Sequence, residues 1–337
     1  MSFAPSEIVG RHVPRDYFLQ EVVGGCEPVV LRGLVDDWPA VRAARDSPPA
    51  LLDYLSALDC GGQVEVFFGE PEIAGKYYYA PGLGGFNFER RIMQFGAALQ
   101  ALAAAIDAPG SGSVYIGSVS CRDRVPGFAP GNAMPLLAPE TPPRIWLGTA
   151  ANVSSHYDTY DNLACVIAGR RRFTLYAPEL ISRLYVGPVD HTMAGAPVSL
   201  AASSAADEQR FPLFQAIRDQ AWMCELGPGD ALYLPKLWWH QVESLGTCNG
   251  LVNYWWDAFA AGPDAPYTSL LLAMITVAER PPAERLAWRA FFDHYVFRTQ
   301  GHPLAHLPAD QHGVLGALKP DNYSKIRARI MHLLRGG

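Results

Sequence analysis

The stretch 152–176 brings together residues that could do chemistry. It opens Asn-Val-Ser-Ser-His-Tyr-Asp and runs through Asp161-Asn162 and an apolar segment to Gly169 and three arginines. His156 and Asp158 are two residues apart, so on a strand both side chains leave the same face. A third ligand arriving from elsewhere would complete a set of two histidines and one carboxylate. Such a set leaves coordination positions open and suits non-heme Fe(II) oxygen chemistry.

His-x-Asp alone is a common tripeptide, but its surroundings raise it. Small and polar residues, Asn152 to Ser155, precede it and let solvent or a ligand approach. A β-rich region begins at this point. Far downstream, Tyr233-Leu234-Pro235-Lys236-Leu237-Trp238-Trp239-His240-Gln241-Val242-Glu243 puts a histidine at the start of an amphipathic strand after a Pro-containing turn. Among the arginines, period two sets Arg171 in phase with Phe173 and Leu175, opposite Arg170 and Arg172, which read as a solvated face. His191 could be a ligand but falls in the segment that reads as a loop. His302, His306 and His312 resemble no metal motif. The Trp238-Trp239 and Trp255-Trp256 pairs read as core and strand residues, one of them bordering a pocket.

Positioning these residues requires a β framework. Short strands between turn signals are expected at 114–116, 144–147, 155–158, 162–168, 172–176, 222–225, 231–234, 240–243 and 251–255, with Gly227-Pro228-Gly229-Asp230 as a tight turn. Many strands without long helices between them argue for a sandwich or barrel. Before them, residues 1–110 read as mixed α/β. Helices are expected over 14–23, 49–58 and 88–106, and strands near 27–34, 64–68 and 76–79. The segment 178–221 is rich in Ala, Ser and Pro and holds no convincing strand, the mark of a lid or insertion. From 263 the pattern is helical, over 270–278, 283–297 and 323–334.

Composition narrows the function classes. The chain has 337 residues, 49% hydrophobic and 18% charged, as in ordinary globular proteins. Lys+Arg of 27 against Asp+Glu of 33 leaves −6, which argues against tight, non-specific binding to nucleic acid. Cys26, Cys60, Cys121, Cys165, Cys224 and Cys248 lie far apart with no Cys-x-x-Cys, so neither a zinc framework nor a disulfide scaffold is expected. They read as small thiols in a reducing compartment. No signal-peptide pattern opens the chain, and the apolar stretch 270–278 is too short to span a bilayer. A cytoplasmic protein without a membrane partner is expected.

Taken in combination, these motifs resemble the JmjC/cupin-like family of Fe(II)- and 2-oxoglutarate-dependent oxygenases. Its factor-inhibiting-HIF-like members and their bacterial relatives are most similar in texture. The resemblance rests on residues 28–34 with Trp38-Pro39, on His156-Tyr157-Asp158 followed by Asn162, Gly169 and a basic residue, and on 227–235, 238–245 and Val252-Asn253-Tyr254-Trp255. It covers about Val13 to Trp256, plus a helical C-terminus. It implies a mainly β fold: a double-stranded β-helix (jelly-roll or cupin) core over 111–262, with N-terminal α/β wrapping and C-terminal helices over 263–337.

By the same resemblance, His156, Asp158 and His240 would be the iron ligands. Arg171 would anchor the distal carboxylate of 2-oxoglutarate, a role suited to a planar fork. Tyr115 would help it, Asn162 and Asn253 would line the cosubstrate site, and Ser154 or Ser155 stands where a hydroxyl residue is usual. Two departures mark this chain: factor-inhibiting-HIF has Lys where Arg171 stands, and the segment before His156 is one residue shorter. The implied activity is hydroxylation of a peptide or protein side chain with release of succinate and CO2. Residues 207–215 resemble an insertion near the substrate groove, and the C-terminal helices imply a homodimer. Two rivals remain: a cupin metalloenzyme that does not use 2-oxoglutarate, such as an isomerase or another dioxygenase, and a non-catalytic cupin-like binding protein. The first keeps the triad without needing Arg171; the second would be expected to lose ligands.

Overall fold

The computed structural model describes residues 3–192, 195–202, 210–260, 262 and 264–336. The chain divides into two compact units, Met1–Ala258 and Phe259–Gly337. Of the residues singled out above, Asp207, Glu208, Gln209 and Pro263 lie outside the described ones.

Fourteen strands form among the described residues of the first unit, most of them on alternating or continuous apolar runs. They are β1 (Ser6–Val9), β2 (Val29–Arg32), β3 (Gln63–Gly69), β4 (Lys76–Tyr77), β5 (Glu89–Gln94), β6 (Ser113–Ser120) and β7 (Pro143–Gly148). Then come β8 (Ala151–Tyr157), β9 (Asp161–Ala168), β10 (Arg171–Tyr176), β11 (Trp222–Leu226), β12 (Ala231–Leu234), β13 (Trp239–Ser244) and β14 (Asn249–Trp256). The nine-stranded sheet runs β1-β2-β12-β9-β14-β7-β6-β3-β5 and the five-stranded sheet β11-β10-β13-β8-β4. From β7 onward the chain crosses repeatedly between the two. The expected β-rich core is thus two sheets, not one closed barrel.

The sheets share an apolar interior. Val30, Ala164, Val166 and Leu232 of the larger sheet meet Phe173, Leu175, Leu226 and Val242 of the smaller. Every residue of β9 is buried, which explains its continuous apolar run. Its Ala164 and Val166 face the smaller sheet, while Leu163, Cys165 and Ile167 join a second core with Val41, Leu51, Leu55 and Leu102 of the N-terminal helices. Each such fully buried Leu or Ile stabilises the fold by about 1.5–3 kcal/mol.

One expectation fails. Instead of one helix over 88–106, β5 precedes a helix at Phe95–Asp107. Glu-Arg-Arg-Ile-Met-Gln is made mostly of good helix formers, so its local preference misleads. Pairing with β3, in register Val66 to Arg91, outranks it. The extended backbone lays the Arg91 guanidinium over Phe68 and Arg90 over Phe86, at 4.6 and 4.8 Å from the ring centres. Elsewhere most ends shift by a residue or two, but β6 runs on to Ser120, β8 begins at Ala151, and the helices expected from 270 and 323 begin at Pro266 and Pro320; β10 starts at Arg171 itself.

The long segment after β10 holds only short helical turns and isolated bridges among its described residues. Val198 bridges to His156 and Val186 to Ser199. In the second unit, the helices Pro266–Val277 and Pro282–Tyr295 have no buried residue, and Pro320–Leu334 follows them. Among the described residues no helix is long and apolar enough to cross a membrane. All six cysteines are free, Cys121, Cys165, Cys224 and Cys248 being buried.

Candidate metal centre

β8 and β13 are antiparallel neighbours, and their register sets His240 opposite His156. Strand alternation turns Ser154 and His156 inward, and Asp158 follows one step past the end of β8. The turn before β13 is held to this end of β8 by Leu237 N donating to Asp158 O at 2.8 Å. Leu237 takes a left-handed backbone, φ 69°, to make that turn. His156, Asp158 and His240 thereby place ligand atoms within 4.8 Å of one another, the one such group among the described residues. His240 Nε2 lies 3.8 Å from Asp158 Oδ2, and the two imidazole centres are 4.2 Å apart.

The backbone selects the tautomers. His156 Nδ1 is 2.8 Å from Ser154 O and His240 Nδ1 is 3.1 Å from Trp238 O. A carbonyl only accepts, so each Nδ1 carries a hydrogen, and in the neutral imidazole the lone pair is then on Nε2. This is the second-sphere arrangement that orients metal-binding histidines. Burial of His240, reinforced by the adjacent His156, pushes its pKa down to about 4 and keeps it neutral.

The triad opens into a cavity of about 140 Å³ between the sheets. At about 30 Å³ per water, that is room for roughly five water molecules. Ser154, Tyr115, Asn162, Arg171, Asn253 and Trp255 all line it. Arg171 is 1% exposed, and its Nε and Nη2 have no hydrogen-bond partner among the described residues. The Tyr115 hydroxyl lies beside its guanidinium. Burial foremost pushes the Arg171 pKa down and that of Tyr115 up. Arg172 instead pairs with Glu225 at 2.7 Å and Arg170 with the same carboxylate at 3.7 Å, on the outer face as parity requires. An unpaired buried cation is costly, so the cavity is built for an anion.

The other candidates divide. Among the described residues Asn162 Oδ1 has no hydrogen-bond partner, while Asn253 Oδ1 accepts from Trp146 Nε1 at 2.8 Å. Ser154 Oγ donates to Tyr77 O at 2.9 Å, whereas Ser155 falls on the opposite face of β8 and does not line the cavity. Trp255 reaches the cavity, its Nε1 without a partner among the described residues; Trp238 and Trp239 are core. His191 is remote from the triad in role, stacked on Phe86 at 5.2 Å. His302 and His312 stack on each other in the second unit, each with Nε2 on a backbone carbonyl, and His302 Nδ1 accepts from Leu304 N.

Sequence reasoning missed the N-terminal contribution. Tyr77, Phe67 and Phe88 form one cavity wall, with Trp146 from β7. Tyr77 donates to Ser113 Oγ at 3.0 Å, and burial pushes its pKa up to about 12. The only local signal was the short strand at 76–79; its parallel pairing with β8 is invisible without the fold.

Known proteins agree with this architecture. Residues 14–262 match a family model described as a cupin-like domain. Jumonji C domain-containing protein 5 of Drosophila melanogaster is 35% identical over 115 residues, 34% of this chain and 27% of that protein. HSPB1-associated protein 1 of Rattus norvegicus is 31% identical over 142 residues, 41% of this chain and 29% of its own length. Lysine-specific demethylase JMJ31 of Arabidopsis thaliana is 32% identical over 115 residues, 34% of this chain and 20% of its own. These matches span less than a third of each curated relative. With the family model covering most of the first unit, the chain belongs to the cupin-like domain family and is distantly related to JmjC-domain proteins.

Proposed function

We propose that this protein is an Fe(II)- and 2-oxoglutarate-dependent oxygenase that hydroxylates a peptide or protein side chain. One observation carries the reading: a fully buried Arg171 with unpartnered N–H groups shares a cavity with a His-Asp-His cluster. The donor set fits a divalent iron, and the guanidinium fits the far carboxylate of a small dicarboxylate. In strand order the eight strands from β7 to β14 follow a double-stranded β-helix. The unpaired cysteines agree with a reducing, cytoplasmic setting.

His156, Asp158 and His240 would hold the metal, two neutral imidazoles and one carboxylate leaving a charge of +1. Bound Fe(II) with 2-oxoglutarate supplies oxygen activation coupled to release of succinate and CO2. The chain's own part is binding and orientation. Arg171 offers Nε and Nη2 to one carboxylate, with the Tyr115 hydroxyl beside it. Asn162 lines the same wall. Phe67, Phe88, Trp146 and Trp255 exclude water and keep these contacts strong.

Anaerobic addition of Fe(II) and then 2-oxoglutarate tests the reading. The expected result is a weak visible charge-transfer band that depends on both, followed in air by succinate release. Absence of the band, with tight binding of zinc or manganese instead, would replace it by a cupin metalloenzyme that does not use 2-oxoglutarate. Relatives named as lysine demethylases make N-methyl-lysine peptides the second substrate class to assay.

The apolar residues left open on the second unit support a homodimer through its helices. Ile275 is 82%, Leu286 66% and Phe291 58% exposed.

A further inference from the structure

Asp161 is the first residue of β9 and only 1% exposed. Four N–H or O–H groups converge on its carboxylate. Oδ1 accepts from Tyr233 Oη at 3.1 Å and from Lys236 N at 3.5 Å. Oδ2 accepts from Ala258 N at 3.0 Å and lies 3.2 Å from Lys236 Nζ. The Lys236 ammonium also pairs with Asp257.

These partners belong to three segments that must stay in register for the triad to exist. Asp161 ends the link that carries Asp158 out of β8. Lys236 lies in the turn from which β13 and His240 start, and this turn also binds Asp158 O through Leu237 N. Asp257 and Ala258 directly follow β14, the neighbour of β9. A buried charge fully supplied with donors is rigid, because any displacement leaves part of it unpaired in a low dielectric.

We propose that Asp161, through Lys236, is a positioning residue that sets the distance between the two halves of the metal site, His156/Asp158 on one side and His240 on the other. The proposal rests on the metal-centre reading above. It touches neither the metal nor a substrate; it acts through the turn 235–238.

The test uses the full chain with Co(II) as the spectroscopic probe. Asp161→Asn keeps the shape and loses the charge; Lys236→Met removes the ammonium from the other side. Both are expected to bind Co(II) roughly 10–100-fold more weakly, the range for lost outer contacts of a metal site, and to change the visible spectrum of the loaded protein. Val252→Ala, a core truncation on β14, serves as the control for lost stability. It is expected to lower the melting temperature and leave Co(II) affinity and spectrum as in the wild type. Asp161→Asn and Lys236→Met proteins that melt early yet bind Co(II) with wild-type affinity and spectrum would overturn the proposal alone. A wild-type chain that binds no Co(II) would overturn the metal-centre reading and this proposal with it.

Discussion

Arg171 and His240 stand on neighbouring strands four rungs apart: β10 and β13 pair Leu175 with His240 and Arg171 with Ser244. At 3.2–3.4 Å per residue the two backbone levels are about 13 Å apart. Both side chains turn into the same cavity, one from each end of that interval. A ligand joining them must be short and anionic at the Arg171 end.

Replacing Arg171 separates anchor from metal. Arg171→Met is expected to weaken 2-oxoglutarate by about 100-fold or more, since charge-assisted hydrogen bonds contribute about 1.5–3 kcal/mol each. Co(II) affinity should stay unchanged, and titration calorimetry with each ligand reads both. The ligand-free Met variant should also be more stable than the wild type, because a buried charge without a carboxylate partner is gone. Equal loss of metal and cosubstrate would contradict the anchor role.

Removing a ligand should act on the metal first. Asp158→Ala leaves two neutral imidazoles and no anion to offset a divalent cation. Its loss of Co(II) affinity should exceed the roughly 10–100-fold typical of an outer contact, as equilibrium dialysis would measure. Succinate release that survives this substitution rules out the triad.

Acid should destabilise the metal-free protein through His240. Its folded pKa is lowered to about 4 from 6.5, so between those values the unfolded chain binds a proton that the folded one refuses. The contribution is fully present above pH 6.5 and lost as pH falls toward 4, on the order of 3 kcal/mol in all. Urea unfolding at pH 7 and pH 4.5 checks this. A His240→Gln variant should show a correspondingly smaller difference, and an unchanged one would refute the assignment.

The homodimer makes a hydrodynamic prediction. Light scattering should give twice the 36.8 kDa of one chain. Ile275→Glu or Phe291→Glu, at positions exposed in the single chain, should return the mass to that of one chain without loss of β structure by circular dichroism. A wild-type protein of single-chain mass leaves those helices without a second copy.

Much of the centre was legible in order along the chain. His156 and Asp158 share a face by parity, and parity also turns Arg171 inward between two solvated arginines. Other features depend on partners remote in sequence. Parity puts Ser154 and Ser155 on opposite faces, but only the position of the cavity says which face matters. The strand at Glu89–Gln94 reads locally as helix and becomes extended through β3. Tyr77 gains its place through parallel pairing with β8, and Asn253 is oriented by Trp146 across β14 and β7.

The sequence by itself determined the chemistry available: the metal-binding residue types, their two-residue spacing, and a cation in phase with the core, because strand periodicity is a local property. Tertiary structure alone decided that His240 lies opposite His156, that Arg171 is left without a carboxylate, and that Asp161 holds three segments together. Strand register is set by which apolar faces bury together, and that is a property of the whole packed chain.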